Sequence, residues 1–177
     1  LTGKPPSRNR AVFLDRDGTL CEDRGYLNRW EDFKVFPDVN ELNSLKLQGF
    51  KLIGITNQSG IARGIVSEDF VRQVNNVFIE RYGFDGFYYC PHHPDEGCSC
   101  RKPGTAMALK ARDEHGLDLQ ASYVIGDKEV DMLLARAIGA TAVLVLTGEA
   151  RESENARFKA RNLKEAVHFI IKNEKRD

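Results

Sequence analysis

Short apolar runs recur along the chain, and four of them end on residues that can do chemistry. The runs are AVFL (11–14), FKLIGIT (50–56), FDGFYYC (84–90), SYVIG (122–126) and TAVLVL (141–146). Most are apolar at successive positions and rich in β-branched or aromatic side chains, as suits strands covered on both faces in a parallel sheet. Helical stretches separate them. Pro37 and Gly49 bracket a helix over about 38–48, Ser67 and Gly83 one over 68–82, and Pro103 and Gly116 a third. A fourth runs from Lys128 to Gly139 and a last covers roughly 162–172. This alternation predicts an α/β, Rossmann-like fold: a central, mainly parallel sheet with helices on both faces and right-handed crossovers.

Open sheets of this kind bind ligands beyond the carboxyl ends of their strands. Asp15 and Asp17 follow the first run, Thr56 and Asn57 close the second, Cys90 to His93 close the third, and Asp127 follows the fourth. Four strand ends therefore carry the candidate chemistry.

With 177 residues the chain suits one domain, expected over 11–177. The polar, proline-containing segment 1–10 is expected to be a flexible tail without an export signal, which places the protein in the cytoplasm. No apolar stretch approaches the roughly 20 residues that span a bilayer, so no membrane partner is expected. Lys plus Arg number 26, as do Asp plus Glu. That balance disfavours nucleic acid as a partner, because polyanion binding rests on a basic surface.

Three carboxylates, Asp15, Asp17 and Asp127, converging on one sheet edge would repel one another unless a cation sat among them. A hard ion such as Mg²⁺ suits such a site, and it commonly bridges protein carboxylates and phosphoryl oxygens. Asp15 is then placed to attack phosphorus, and Asp17 to give a proton to the leaving alcohol and later take one from water. An Asp-x-Asp after a strand is, on its own, ordinary turn chemistry. It gains weight from Thr56, Lys102 and GDKEVD (126–131) at the other strand ends.

DRDGT (15–19), TNQSG from Thr56, Lys102 within CRKPG, and GDKEVD from Gly126 together resemble the four ordered motifs of the haloacid dehalogenase (HAD) superfamily of phosphatases. The resemblance covers nearly the whole chain beyond residue 10. It implies Asp15 as nucleophile and Asp17 as general acid/base, with the Asp17 carbonyl also on Mg²⁺. It further implies Thr56 as a phosphoryl hydrogen-bond donor, Lys102 as the transition-state cation, and Asp127 as a magnesium ligand. Asp131, one turn further on, is read equally as a supporting acid or a solvated one. The inter-motif gaps leave no room for a separate cap domain.

CPHHPDEGCSC (90–100) offers Cys90, His92, Cys98 and Cys100, a closed set of three thiolates and one imidazole that suits structural Zn²⁺. From the residues alone His93 could replace His92 as ligand; the resemblance to a zinc-loop subgroup favours His92. Cys21 reads as a small residue near the first loop. The zinc loop leads into Arg101 and Lys102, so the metal's expected role is positioning.

Two zinc-loop groups of the superfamily are the nearest resemblances, one acting on a heptose bisphosphate and one on histidinol phosphate. DRGYL (23–27), TNQSGIARG (56–64) and Lys128 resemble the first, whereas the five residues between His92 and Cys98 resemble the second. The substrate implied is a phosphorylated sugar of surface-glycan (lipopolysaccharide) precursor synthesis. Contacts are expected from Asp23, Arg24, Gly25, Tyr26, Asn57, Gln58, Ser59 and Arg63, and Arg101 and Lys128 are expected to hold the phosphate that is not cleaved. A monomer is expected, and a zinc-stabilised binding module is the non-enzymatic alternative.

Overall fold

The computed structural model describes residues 9–175. Six strands form one sheet: β1 (Arg10–Leu14), β2 (Phe50–Asn57), β3 (Gly86–Cys90), β4 (Tyr123–Gly126), β5 (Thr141–Val145) and β6 (Phe158–Ala160). Their spatial order is β3-β2-β1-β4-β5-β6, and every neighbouring pair is parallel. The chain builds outward from β1 in one direction and then returns to build outward from β4 in the other. The crevice above β1 and β4 is thus the topological switch point, where such sheets bind ligands.

Helices α1 (Asn43–Leu47), α2 (Glu68–Tyr82) and α5 (Leu163–Glu174) cover one face, while α3 (Ala106–His115) and α4 (Glu129–Ile138) cover the other. Alternate strand residues feed the two cores. Val12 and Leu14 join α1, α2 and α5, whereas Ala11 and Phe13 face α3 and α4. That alternation is the period-two pleat of a strand buried on both sides. Phe78 of α2 is fully buried against Phe33, Phe84 and Phe87, a burial worth about 2–3 kcal/mol. β2 makes room for this aromatic layer at Gly54, where a Cβ would strike the Phe87 ring.

Helix ends follow the expected chemistry. Ser67 accepts the Phe70 N–H at 3.1 Å to start α2, and Gly83 ends it in the left-handed region at φ 68°. The helix expected over 38–48 divides instead: Pro37–Leu42 is a 3-10 helix that passes into α1. Asn40 donates its side-chain amide to the Pro37 carbonyl, and Val39 and Leu42 are both buried at a spacing of three. A side chain competing for backbone acceptors and a three-residue apolar repeat both favour the tighter helix.

β3 begins at Gly86 rather than Phe84, because the Asp85 carboxylate accepts the Leu52 N–H of β2 where a strand carbonyl would. β6 was not expected at all; three residues on the sheet edge carry no readable alternation. Most of the expected tail, residues 1–8, lies outside the described residues. At its end the boundary shifts, since Asn9 bridges Leu117 and Arg10 opens β1. Among the described residues no helix is long and apolar enough to cross a membrane, and neither inter-motif segment forms a separate cap.

Candidate active site

Asp15 is the first residue past β1, and its N–H donates to the Ile125 carbonyl of β4 at 3.0 Å. That bond fixes the carboxylate at the switch point, beside Asp127 just past β4. Lys102 arrives from the far side of the zinc loop and is 3% exposed. Its ammonium donates to Asp15 Oδ1 at 2.6 Å, Asp131 Oδ1 at 2.7 Å and the Ile55 carbonyl at 3.0 Å. Burial works against this ammonium, but the carboxylates of Asp131 and Asp15 outweigh it and raise its pKa. Asp131 also accepts the Lys128 N–H, at 3.1 Å. It is wholly buried, which removes the solvated alternative. Burial pushes its carboxyl up to about 6 against the pull of Lys102.

Asp17 faces away from these acids. Its carboxylate accepts from Arg16 Nε at 3.2 Å, from an Arg16 terminal nitrogen at 3.0 Å, and from Gln58 Nε2 at 2.8 Å. The same Gln58 amide donates to Thr56 Oγ1 at 2.8 Å. Asn57 accepts the Lys102 N–H at 2.9 Å and donates to the Lys102 carbonyl at 3.3 Å. These two residues of the second motif thus hold Asp17, Thr56 and the Lys102 main chain as well as bordering the cleft.

Asp127 is fully buried. It accepts the Glu149 N–H at 3.0 Å and lies within reach of the Thr19 hydroxyl at 3.5 Å. Burial first, and then the charge of Asp15, push its carboxyl up to about 8. Oxygens of Asp15, Asp127 and Asp131 lie within 4.8 Å of one another. Lys102 compensates Asp131 and Asp15 but makes no contact with Asp127. A hard dication between Asp15 and Asp127 would supply the missing charge, so the donor set fits Mg²⁺. Gly18 and Gly148 close over Asp127, and a Cβ on either would collide with its carboxylate.

A cleft of about 480 Å³ opens above these groups. Of the residues singled out in the sequence, Asp15, Asp17, Asp23, Gly25, Tyr26, Thr56, Asn57, Gln58, Ser59, Arg101, Lys102 and Lys128 all border it. Two expected substrate contacts lie elsewhere. Arg24 pairs with Glu22, and Arg63 sits exposed in the turn after Ser59. Lys128 crosses the mouth to Asp23 at 3.1 Å and Glu149 at 3.5 Å. Glu149, Gly60 and Val130 also border the cleft and were missed. The fifth apolar run ends just before Thr147, and the rule that strand ends face the ligand would have pointed to Glu149.

The second cluster gathers Cys90, His92, Cys98 and Cys100. Cys90 Sγ lies 3.5 Å from both Cys98 Sγ and His92 Nδ1, and Cys100 Sγ lies 3.1 Å from that nitrogen. Tetrahedral ligands at Zn–S of about 2.3 Å stand about 3.7 Å apart, close to this spacing. Cys90 and Cys100 Sγ are 2.9 Å apart, too far for a disulfide. His93 is engaged elsewhere, accepting the Asp95 N–H at 3.3 Å to cap a 3-10 turn over Pro94–Glu96. Burial opposes ionisation of Cys98, but the Arg101 N–H and the neighbouring thiols bring it down to about 7, toward the thiolate a metal needs.

An aspartate pair at the switch point, opposed by a buried lysine, defines a HAD-type hydrolase site on a capless sheet. A family model described as HAD-hydrolase-like matches residues 99–171. The chain is 40% identical over 169 residues to the D-glycero-beta-D-manno-heptose-1,7-bisphosphate 7-phosphatase of Helicobacter pylori (strain J99), covering 92% of this chain and 97% of that one. It is 42% identical over 162 residues to the protein of that name from Escherichia coli (strain K12), covering 82% and 85%. Its fold matches the D,D-heptose 1,7-bisphosphate phosphatase of B. bronchiseptica, solved with magnesium and phosphate. There the TM-score is 0.82 and the identity 24%, over 93% of this chain and 99% of that one. The chain belongs to the HAD-like hydrolases, in the family of the D-glycero-D-manno-heptose-1,7-bisphosphate 7-phosphatases.

Proposed function

We propose that this protein hydrolyses the 7-phosphate of D-glycero-D-manno-heptose 1,7-bisphosphate. The observation that carries the reading is the buried contact of Lys102 with Asp15 at 2.6 Å, which directs one carboxylate oxygen at the end of β1 while cancelling part of its charge. Asp15 attacks phosphorus and becomes a phosphoaspartate as the P–O bond to the sugar breaks. Asp17 gives its proton to the leaving sugar oxygen and then takes one from the water that cleaves the acyl-phosphate. The Thr56 hydroxyl and the Lys102 ammonium bind the equatorial phosphoryl oxygens as charge spreads over them.

Asp15, Asp127 and the Asp17 carbonyl would hold Mg²⁺, which when bound neutralises phosphoryl charge. Arg101 and Lys128 border the cleft and offer two cations for the 1-phosphate; an Arg101 terminal nitrogen is buried without a partner among the described residues. Zn²⁺ on Cys90, His92, Cys98 and Cys100 would pin the main chain that delivers Arg101 and Lys102. We further propose a monomeric cytoplasmic enzyme of a single domain, supplying heptose for a bacterial surface glycan.

The test compares phosphate release from the α and β anomers of heptose 1,7-bisphosphate and from histidinol phosphate, with Mg²⁺ present. Preference for a heptose bisphosphate is expected, the β anomer in keeping with the relatives' names. Preference for histidinol phosphate overturns the substrate and leaves the chemistry standing. Hydrolysis of none of these by folded protein carrying both metals would leave the binding module as the better reading.

A further inference from the structure

Arg16 is the largest fully buried side chain among the described residues, at 1% exposure, and the motif chemistry gives it no part. Its guanidinium is spent within the molecule. Nε and one terminal nitrogen grip the Asp17 carboxylate, and the other terminal nitrogen donates to Asn75 Oδ1 on α2 at 3.0 Å. Asn75 is itself 4% exposed, and its Nδ2 has no partner among the described residues.

Stability does not explain this arrangement. Burying an ion costs several kcal/mol, and replacing a buried ionic group by an apolar one of similar volume is often neutral or stabilising. The loop around Arg16 does not need the side chain either. Its hydrogen bonds run from the N–H groups of Thr19, Leu20 and Cys21 to the Arg16 carbonyl, and any residue would keep them. The side chain's distinct contribution is the position of Asp17.

From the core side Arg16 fixes the carboxylate, and from the cleft side Gln58 ties the same carboxylate to Thr56 Oγ1. An acid/base group held between two fixed partners keeps a set distance from the phosphate-binding hydroxyl. We infer that Arg16, anchored by Asn75, is a positioning residue that sets where Asp17 exchanges protons with the leaving oxygen. This rests on Asp17 being the acid/base of the proposed reaction.

Leaving-group dependence separates this role from a structural one. The ratio kcat/KM reports the steps through release of the alcohol. A sugar alcohol needs a proton to leave, and 4-nitrophenolate does not. Arg16→Met, with both metals loaded and folding checked by melting, is expected to lose about 10- to 100-fold in kcat/KM on heptose bisphosphate and about threefold or less on 4-nitrophenyl phosphate, since positioned proton transfer contributes on the order of 100-fold or more. Arg16→Lys keeps the charge without the fork and should recover part of the difference. Asn75→Leu, which frees the guanidinium, should show the same selectivity in milder form and serves if Arg16→Met does not fold.

Equal losses on both substrates in these variants overturn the positioning role. Asp17→Asn is the reference: if it shows no leaving-group selectivity, the acid/base reading of Asp17 has failed. If it does and the Arg16 and Asn75 variants do not, only the positioning inference has failed.

Discussion

Asn57 holds the main chain of Lys102 from both sides, accepting its N–H at 2.9 Å and donating to its carbonyl at 3.3 Å. The second motif is thereby stitched to the third, 45 residues away, by one amide side chain. The ammonium of Lys102 can reach Asp15, Asp131 and the Ile55 carbonyl together only if its backbone stays where Asn57 keeps it.

Asn57→Ala should lower kcat about tenfold or more with a smaller change in KM, because a displaced lysine is felt mainly in the transition state. Two lost hydrogen bonds, at about 1 kcal/mol each, should also show as roughly 2 kcal/mol in urea unfolding. Steady-state kinetics with Asn57→Asp alongside check this, since the aspartate can still accept the Lys102 N–H.

Lys102→Met should abolish turnover and leave Asp15 and Asp131 buried without a cation. Breaking a buried pair on one side costs about 3–5 kcal/mol. Adding Asp131→Asn should restore part of the stability and none of the activity. A double-mutant cycle by chemical denaturation, run with metal chelated so that a bound cation does not replace the ammonium, measures the coupling.

One equivalent of zinc is expected per chain, and elemental analysis will count it. Cys98→Ser and His92→Ala should lose the metal, whereas His93→Ala should keep it, because the His93 ring faces Asp95 outside the cluster. Loss of zinc should reduce kcat more than it reduces helix content by circular dichroism, since the loop delivers Lys102 and contains no α-helix.

Gly148→Ala places a methyl group on the Asp127 carboxylate. The half-saturating Mg²⁺ concentration should rise about tenfold or more with phosphorylated substrate saturating, as expected when a ligand's support is disturbed.

Much of this architecture was legible because each signal was local. Ser67 and Gly83 mark the ends of α2, and the both-faces-apolar runs mark five of six strands. The site acids could be named because a parallel sheet commits its strand ends to one edge. What stayed hidden depends on contacts distant in the chain. Nothing around Asn75 announces that it meets Arg16, and nothing around Glu149 announces that its N–H meets Asp127, although its place past a strand end was a usable signal. Arg24 and Arg63 lie in loops that border the cleft but are not among the residues lining it, Arg24 pairing with Glu22 instead. Asn40 misled for a third reason, since one side-chain hydrogen bond was enough to tighten a helix turn.

The strand order has a consequence for synthesis. One edge of β1 pairs with β2, which emerges soon after it, but its other edge waits for β4, which the ribosome delivers much later. Asp15 meets Lys102 only when residues 87 positions apart have both emerged, and Asp127 follows later still. A nascent chain therefore carries Asp15 long before it carries either the lysine that balances it or the Asp127 carboxylate that lies beside it. No fragment that ends before β4 can assemble these groups, because Asp15 and Asp127 come together only when β1 pairs with β4.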